Sequence, residues 1–221
     1  MLLGNELASW NTRIQMPERS RLYHLVPCGT RTELCEGLSS YVVRLAHNHG
    51  VPPVDVFSET IVPLLVRIPR TLRKHEVEIY SILASERVIN DYLESAGWLR
   101  STRKIEKLLE ALQQLTLRPD LRALIYIHRG RRHQYLYRSC RAWCPDCHQQ
   151  QRQQHAPIYD PLYWMFTSSN YCAIHNYPLE TKCPHCNRRS APITSFAKPG
   201  HCYNCGCWLG QFARDTYGPT T

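Results

Sequence analysis

Eight residues in the last third of the chain have the types and spacing for metal chemistry. They are Cys144 and Cys147, Cys172 and His175, Cys183 and Cys186, and Cys202 and Cys205. Each pair is separated by two residues. That spacing forms a tight knuckle and places both side chains on one edge of a tetrahedral ion. Proline inside Cys-Pro-Asp-Cys and Cys-Pro-His-Cys stiffens the turn without needing a backbone donor. Gly206, directly after Cys205, permits a positive φ that lets an amide approach sulfur. Thiolate and imidazole donors in this number point to zinc, and to two ions.

Sequential pairing gives one site of three thiolates and an imidazole (Cys144, Cys147, Cys172, His175). It gives a second site of four thiolates (Cys183, Cys186, Cys202, Cys205), with 15 residues between its pairs as in a zinc ribbon. Cross-braced pairing, joining the first pair to the third, is the alternative. Sequential pairing is preferred. His148, His185 and His201 read as bystanders and Cys140 as unligated. Cys28 and Cys35 read as core or surface thiols. Cys207 could replace Cys205 only by breaking the spacing.

Both sites read as two structural Zn2+ ions, because four protein donors leave no open position for water. Other catalytic patterns fail. No His-x-Glu accompanies the cysteine pairs, as a zinc deaminase requires. His75-Glu76 begins a zincin motif, but Ile79 stands where the second histidine belongs. There is no Gly-Lys dipeptide for a P-loop and no Gly-x-Ser-x-Gly. The expectation is a protein that is not an enzyme.

Composition agrees with a metal-bearing, nucleic-acid-facing protein. The 221 residues include 11 cysteines, an odd number, which rules out complete internal disulfide pairing. The opening stretch carries an early acidic residue and no basic region ahead of an apolar core, so it does not read as a signal peptide. No run is long and apolar enough to span a membrane. A cytoplasmic protein with reduced thiols is expected. Its 27 Lys+Arg against 18 Asp+Glu give a formal charge of +9, which favours an anionic partner, nucleic acid first.

The elements that must position these groups are mainly α-helical. Leu38, Tyr41, Val42, Leu45 and His49 follow helical spacing, with Ser39 or Ser40 as a cap and Gly50 at the end. A second amphipathic stretch covers residues 76–93. A third starts at a capping Ser101, buries Ile105, Leu108, Leu109, Leu112 and Leu115, and ends before Pro119. Asp160 and Pro161 suit the first positions of a further short helix. Its aromatics are expected to pack against the knuckles, with Trp164 in the core. The expected order is an N-terminal arm (1–35), a helical, helix-turn-helix-like domain (36–139), a double zinc-binding, zinc-ribbon-like region (140–210) and a tail (211–221).

The charge is uneven. Residues 1–60 have a net charge of −1, residues 61–140 of +7 and residues 141–221 of +3. Arg129, Arg131, Arg132, Arg138 and Arg141 alternate with aromatics over residues 126–143. Forked guanidinium donors suit phosphates, and aromatics can stack on unpaired bases. The alternative is a hairpin whose aromatics pack inward. Arg129, Arg131 and Arg132, with Arg103 and Lys104 on the third helix, are the candidate nucleic-acid contacts.

These residues resemble a known family. The order RAWCPDC (141–147), YDPLYW (159–164), CAIH (172–175), LETKCPHC (179–186) and PGHCYNCGCWLG (199–210) is similar to the TniQ/TnsD family of transposon target-site selection proteins. EGLSSY (36–41) and RLA (44–46) resemble its opening motif. The resemblance spans residues 36–210, and all eight metal positions carry over. It implies a non-catalytic adaptor that recognises a target and recruits the AAA+ ATPase TnsC, which brings the transposase. The chain stops 11 residues after Gly210, without the extra DNA-reading region of long members. That favours the short form of CRISPR-associated transposons in bacteria, whose partners are Cascade or a type V-K effector with guide RNA. The resemblance also implies a possible homodimer. An autonomous DNA-binding protein is the alternative.

Overall fold

The computed structural model describes residues 19–65, 102–126 and 137–210, and side chains at all of these except 65 and 102–105. The expected helix over residues 76–93 lies outside the described residues, and with it any helix-turn-helix geometry. Ser101 lies outside them as well.

Helix α1 (Leu38–His49) forms where the apolar spacing predicts it. Its start differs. Gly37 is the N-cap, with no side-chain capping bond. Ser39 and Ser40 lie in the first turn, and their hydroxyls are engaged elsewhere, Ser39 with the distant Met165 Sδ and Ser40 with the Glu36 carboxylate just before the helix. The end is as expected: Gly50 takes a left-handed φ of 69° and its N–H closes onto the last carbonyls. A Cβ at Gly50 would meet nothing within 4 Å. Gly50→Ala therefore costs backbone strain alone, about 1 kcal/mol. A thermal melt should fall by a few degrees, with no change in metal content.

After Pro52 a short helical run begins that the periodicity did not reveal. It comprises α2 (Pro53–Val56), a π-helical turn (Phe57–Ile61) and α3 (Val62–Leu65). The wide turn pushes Phe57 and Ile61 inward, where both are buried. Helix α4 (Thr102–Thr116) has the expected face: Leu108, Leu109, Leu112 and Leu115 are buried. Each such side chain contributes roughly 1.5–3 kcal/mol of burial. A 3-10 turn (Pro119–Leu124) adds Leu121 and Leu124 to the same core.

Residues 19–28, expected as part of an extended arm, lie on these helices. Leu22 is in the core and its N–H donates to Leu115 O. The carbonyls of Leu25 and Val26 accept from Tyr41 Oη and Arg44 Nη2. A chain that would otherwise leave these groups unpaired gains partners by folding back.

The cysteine-rich part contains α5 (Pro145–Gln153) and a 3-10 turn (Leu162–Met165). Its remaining pairing among the described residues is isolated antiparallel bridges such as Trp143 with Glu180 and His201 with Trp208. Two apolar clusters result. One is helical, yet it takes Ile193, Ala197 and Tyr203 from the cysteine-rich part. The other gathers Trp143, Trp164 and Leu209 around the cysteines. Trp164 is fully buried, as expected for a core residue. No helix among the described residues is long and apolar enough to cross a membrane.

A buried ionic network joins the two parts. Arg44 grips Glu36 with two donors, Nε to Oε1 at 2.9 Å and Nη2 to Oε2 at 2.6 Å. Ser40 Oγ donates to Glu36 and accepts from the Asp160 N–H at 2.9 Å. The Asp160 carboxylate then receives a fork from Arg141, and His148 Nε2 lies 2.8 Å from its Oδ1. Burial would raise the Asp160 carboxyl, but the Arg141 charge and the His148 hydrogen bond outweigh it and hold it well below the usual carboxylate range. Burial, with Arg141 nearby, pushes His148 below its ordinary value despite Asp160. The ring is neutral at pH 7, and Nε2 carries the proton because an ionised carboxylate only accepts.

This network corrects two expectations. Asp160 does not cap a helix: the 3-10 turn opens after Pro161, and the carboxylate is committed to Arg141 and His148. Nor are Arg138 and Arg141 available to phosphates. Arg141 is buried, donates to His201 O and lies over the Tyr203 ring at 4.6 Å. Arg138 donates to Phe166 O, Ser169 O and Asn170 Oδ1.

Candidate metal centres

Three of the four pairs fold the same way. In Cys172-x2-His175, Cys183-x2-Cys186 and Cys202-x2-Cys205, the fourth residue after the first cysteine returns its N–H to that cysteine's carbonyl. The donors are Asn176, Asn187 and Gly206, at 2.9 Å in each case. All three have positive φ, 48°, 53° and 72°. Glycine reaches this region freely, and asparagine tolerates it better than other residues. The first cysteine's own N–H closes the loop onto Tyr177 O, Arg188 O and Cys207 O respectively. Amides approach sulfur at His175 and Asn204, each 3.4 Å from Sγ, and just past Gly206, where the Cys207 backbone bonds to Cys205 as expected. Asparagine four residues after Cys172 and Cys183 was the sequence signal for the other two turns.

The first pair is built differently. Cys144 is the N-cap of α5, Pro145 is its first residue and Cys147 lies in its first turn. Proline suits that position because its missing N–H would have no helical partner there. Asp146 in the same turn complements the helix dipole.

The folded chain brings the pairs together sequentially. Cys144, Cys147, Cys172 and His175 form one cluster; Cys183, Cys186, Cys202 and Cys205 form the other. Within each, the four donor atoms lie within 4.8 Å of one another. In the first, Cys147 Sγ is 3.4 Å from Cys172 Sγ, and His175 Nδ1 is 3.5, 3.3 and 3.6 Å from the sulfurs of Cys144, Cys147 and Cys172. In the second, Cys183 to Cys205 is 3.7 Å and Cys186 to Cys202 is 3.8 Å.

These separations are too long for disulfides, whose S–S bond is about 2.05 Å. They fit a tetrahedron. Sulfurs about 2.3 Å from a central ion lie about 3.8 Å apart, and a sulfur–nitrogen edge is about 3.6 Å. Both donor sets could therefore hold a metal ion, with His175 offering Nδ1.

Surrounding groups fix the donors. Tyr163 Oη accepts from the Ala173 N–H at 3.0 Å and lies 3.9 Å from Cys172 Sγ. Trp143 pairs with Glu180 through two backbone bonds and so anchors the chain entering α5 to the strand-like segment before Cys183. Cys205 is the exposed member of the second cluster, whereas Cys144, Cys147 and Cys172 are buried.

Among the described residues, the other cysteines and histidines stay outside both clusters. Cys28, Cys35, Cys140 and Cys207 are partly buried free thiols. Burial beside Glu36 pushes the Cys28 thiol up to about 11, so it is protonated at neutral pH. His148 serves the Asp160 network, and His201 Nδ1 lies 2.8 Å from Pro199 O. Of the candidate nucleic-acid residues, Arg129, Arg131 and Arg132 lie outside the described residues. Arg103 and Lys104 lie on the first turns of α4, and their side chains are outside the described set. Nearby, Tyr137 Oη donates to Tyr126 O and its ring meets Phe166 edge-on, so this aromatic packs inward.

A family model described as TniQ matches residues 27–179. The match covers more than half of the chain. It includes Glu36, Arg44, Arg141, Asp160 and the whole first cluster, and it stops short of the second. It begins earlier and ends earlier than the resemblance read from the motifs. No curated protein matches the chain. With that match laid on the helical core, the ionic network and the first cluster, the chain belongs to the TniQ family, whose members are transposition-associated proteins.

Proposed function

We propose that this protein is a targeting adaptor of DNA transposition in the bacterial cytoplasm. It joins a target-recognition complex, an RNA-guided CRISPR effector such as Cascade or a type V-K effector with its guide RNA, to the AAA+ regulator TnsC. The family match over residues 27–179 is the observation that carries this reading. The two clusters hold structural zinc, with the eight residues Cys144, Cys147, Cys172, His175, Cys183, Cys186, Cys202 and Cys205 as ligands. Each supplies four protein donors, a complete tetrahedral set with no position left for a reacting water. The work is therefore done by surfaces, not by bond-making chemistry.

The test is capture. The tagged chain, co-expressed with the effector complex and TnsC of its own transposon, is expected to retain both. Retention of neither rejects the adaptor reading. Self-association, measured by light scattering on the captured complex, tests the homodimer.

A second reading is an autonomous DNA-binding protein that selects the site directly. The net charge of +7 over residues 61–140 favours it, with Arg129, Arg131, Arg132, Arg103 and Lys104 as phosphate contacts. A footprint at one DNA sequence with the chain alone would select this reading. Reversing Arg129, Arg131 and Arg132 to glutamate should then abolish the footprint. Under the adaptor reading, the same variant keeps TnsC capture.

A further inference from the structure

Beside the last turn of α1 lies an open cleft of about 430 Å³, also lined by the chain just after α5 and by the loop before the last knuckle. None of the eight cluster residues lines it. Its polar lining includes His47, His155, Lys198, His201 and the buried Arg44, with no carboxylate. The charge of Arg44 is already matched by Glu36. Lys198 is exposed, and no ion pair among the described residues includes it.

The chemistry of this lining selects the ligand. A metal ion is disfavoured, because the histidines here do not converge as the two cysteine clusters do. A second cation is disfavoured too: partial burial of the otherwise exposed ring and the Lys198 charge both push His47 below its ordinary value. What the lining offers is one ammonium with no ion-pair partner among the described residues, and several ring N–H donors, the recognition set for a phosphate. His47 sits in the last turn of α1, where the helix dipole favours a positive side chain. Lys198 comes from a loop and serves no such helix. Two residues before it, and outside the cleft lining, Phe196 is 81% exposed. A bare aromatic beside a lysine suits a strand whose backbone meets the cation while a base stacks on the ring.

We propose that this cleft binds a phosphate of a single nucleic-acid strand, with Lys198, His47 and His155 as donors and Phe196 as the stacking platform. The phosphate chemistry stands independently of the adaptor reading; the choice of a nucleic-acid strand over a free anion rests on it.

The test uses the full zinc-loaded chain and a labelled 20-nucleotide single strand, followed by fluorescence anisotropy from 50 to 200 mM salt. Lys198, His47, His155 and Phe196 are exposed, so Lys198→Glu, His47→Ala with His155→Ala, and Phe196→Ala should keep the parent melting temperature. Lys198→Glu is expected to weaken binding at least several-fold and to lower the log–log salt slope by about one. Phe196→Ala should weaken it about tenfold with the slope unchanged. Parent-like affinity and slope in all variants overturn the proposal. So does a result in which inorganic phosphate shifts the His47 and His155 ring resonances while strand affinity is unaltered, or in which only an acidic peptide competes at the cleft. Loss of strand binding with TnsC capture intact supports the site. Failure of capture with strand binding intact removes the adaptor role and leaves the cleft assigned.

Discussion

Cys183→Ser combined with Cys186→Ser is expected to release one of two zinc ions per chain and to unfold far more than its own knuckle. Structural zinc binding is folding free energy, of apparent size about 10–16 kcal/mol in zinc-finger peptides at neutral pH. That is as large as the total stability of a typical domain, about 5–15 kcal/mol. The second cluster closes the segment that carries Ile193, Ala197 and Tyr203, and these side chains are buried in the helical core. Losing them leaves a cavity beside the helices. The backbone N–H of Arg141 also loses its partner, Ser190 O. Hydrogen exchange should therefore rise in residues 183–210 first and in α1 next. A strong chelator should reproduce the pattern in the parent chain. Two bound zinc ions and parent-like exchange in the variant would refute the ligand assignment. Cys207→Ser is the control. Cys207 stands outside the cluster, so this change should leave the zinc content at two.

Asp160→Ala is expected to destabilise the chain by about 3–5 kcal/mol, because it strands a buried guanidinium without its counterion. Arg141 would keep the His201 carbonyl and its contacts with the Tyr203 and Trp143 rings, none of them a counterion. The His148 ring would lose its Asp160 partner. The loss should fall on the join between the two parts, since the Asp160 backbone also ties to Gly37 and Ser40. Urea melts on zinc-loaded protein measure it. A paired replacement, Asp160→Leu with Arg141→Met, should recover much of the loss, because it removes both charges together. A single Asp160→Ala cost below about 1 kcal/mol would show that the network is not a brace.

The pH dependence has a definite sign. The Asp160 carboxyl is lowered in the folded state. Its contribution is fully present above the ordinary carboxylate range, near pH 4, and is lost as pH falls toward the folded value. Asp160→Asn should flatten that acid-side loss when zinc content is held constant.

Much of the metal geometry was legible because it is local. A Cys-x2-Cys knuckle is set by a few backbone dihedrals, and residue type at the fourth position reports the positive φ. The sequential pairing also appears in the folded clusters. Helix α1 and the apolar face of α4 were legible for a similar reason, since their spacing records which face meets a core. The start of α1 was not. Two serines look like caps, yet a cap needs only a free hydroxyl nearby. Here Met165 took Ser39, and Ser40 bridges the nearby Glu36 carboxylate to the distant Asp160 N–H.

The arginines make the sharper case. Along the chain, Arg129, Arg131, Arg132, Arg138 and Arg141 look alike. Their fates depend on what stands opposite after folding. Asp160, 19 residues beyond Arg141, supplies a buried carboxylate; Phe166, Ser169 and Asn170 supply acceptors to Arg138. No periodicity encodes a partner at that distance. Glu36 and Arg44 show the same point: they stood in the motif that carried the family resemblance, but nothing in their spacing said that they pair with each other in the core.

Residue type and short spacing alone determined the donor chemistry, the count of two donor clusters, the helical character of the first part and the family. These depend on interactions within a few residues, where backbone geometry leaves few choices. The tertiary structure decided which charges are spent internally, that residues from the last third complete the helical core, and that Lys198, His47 and His155 line one cleft. Those outcomes depend on burial, and burial turns the same arginine from a solvated charge into a paired strut.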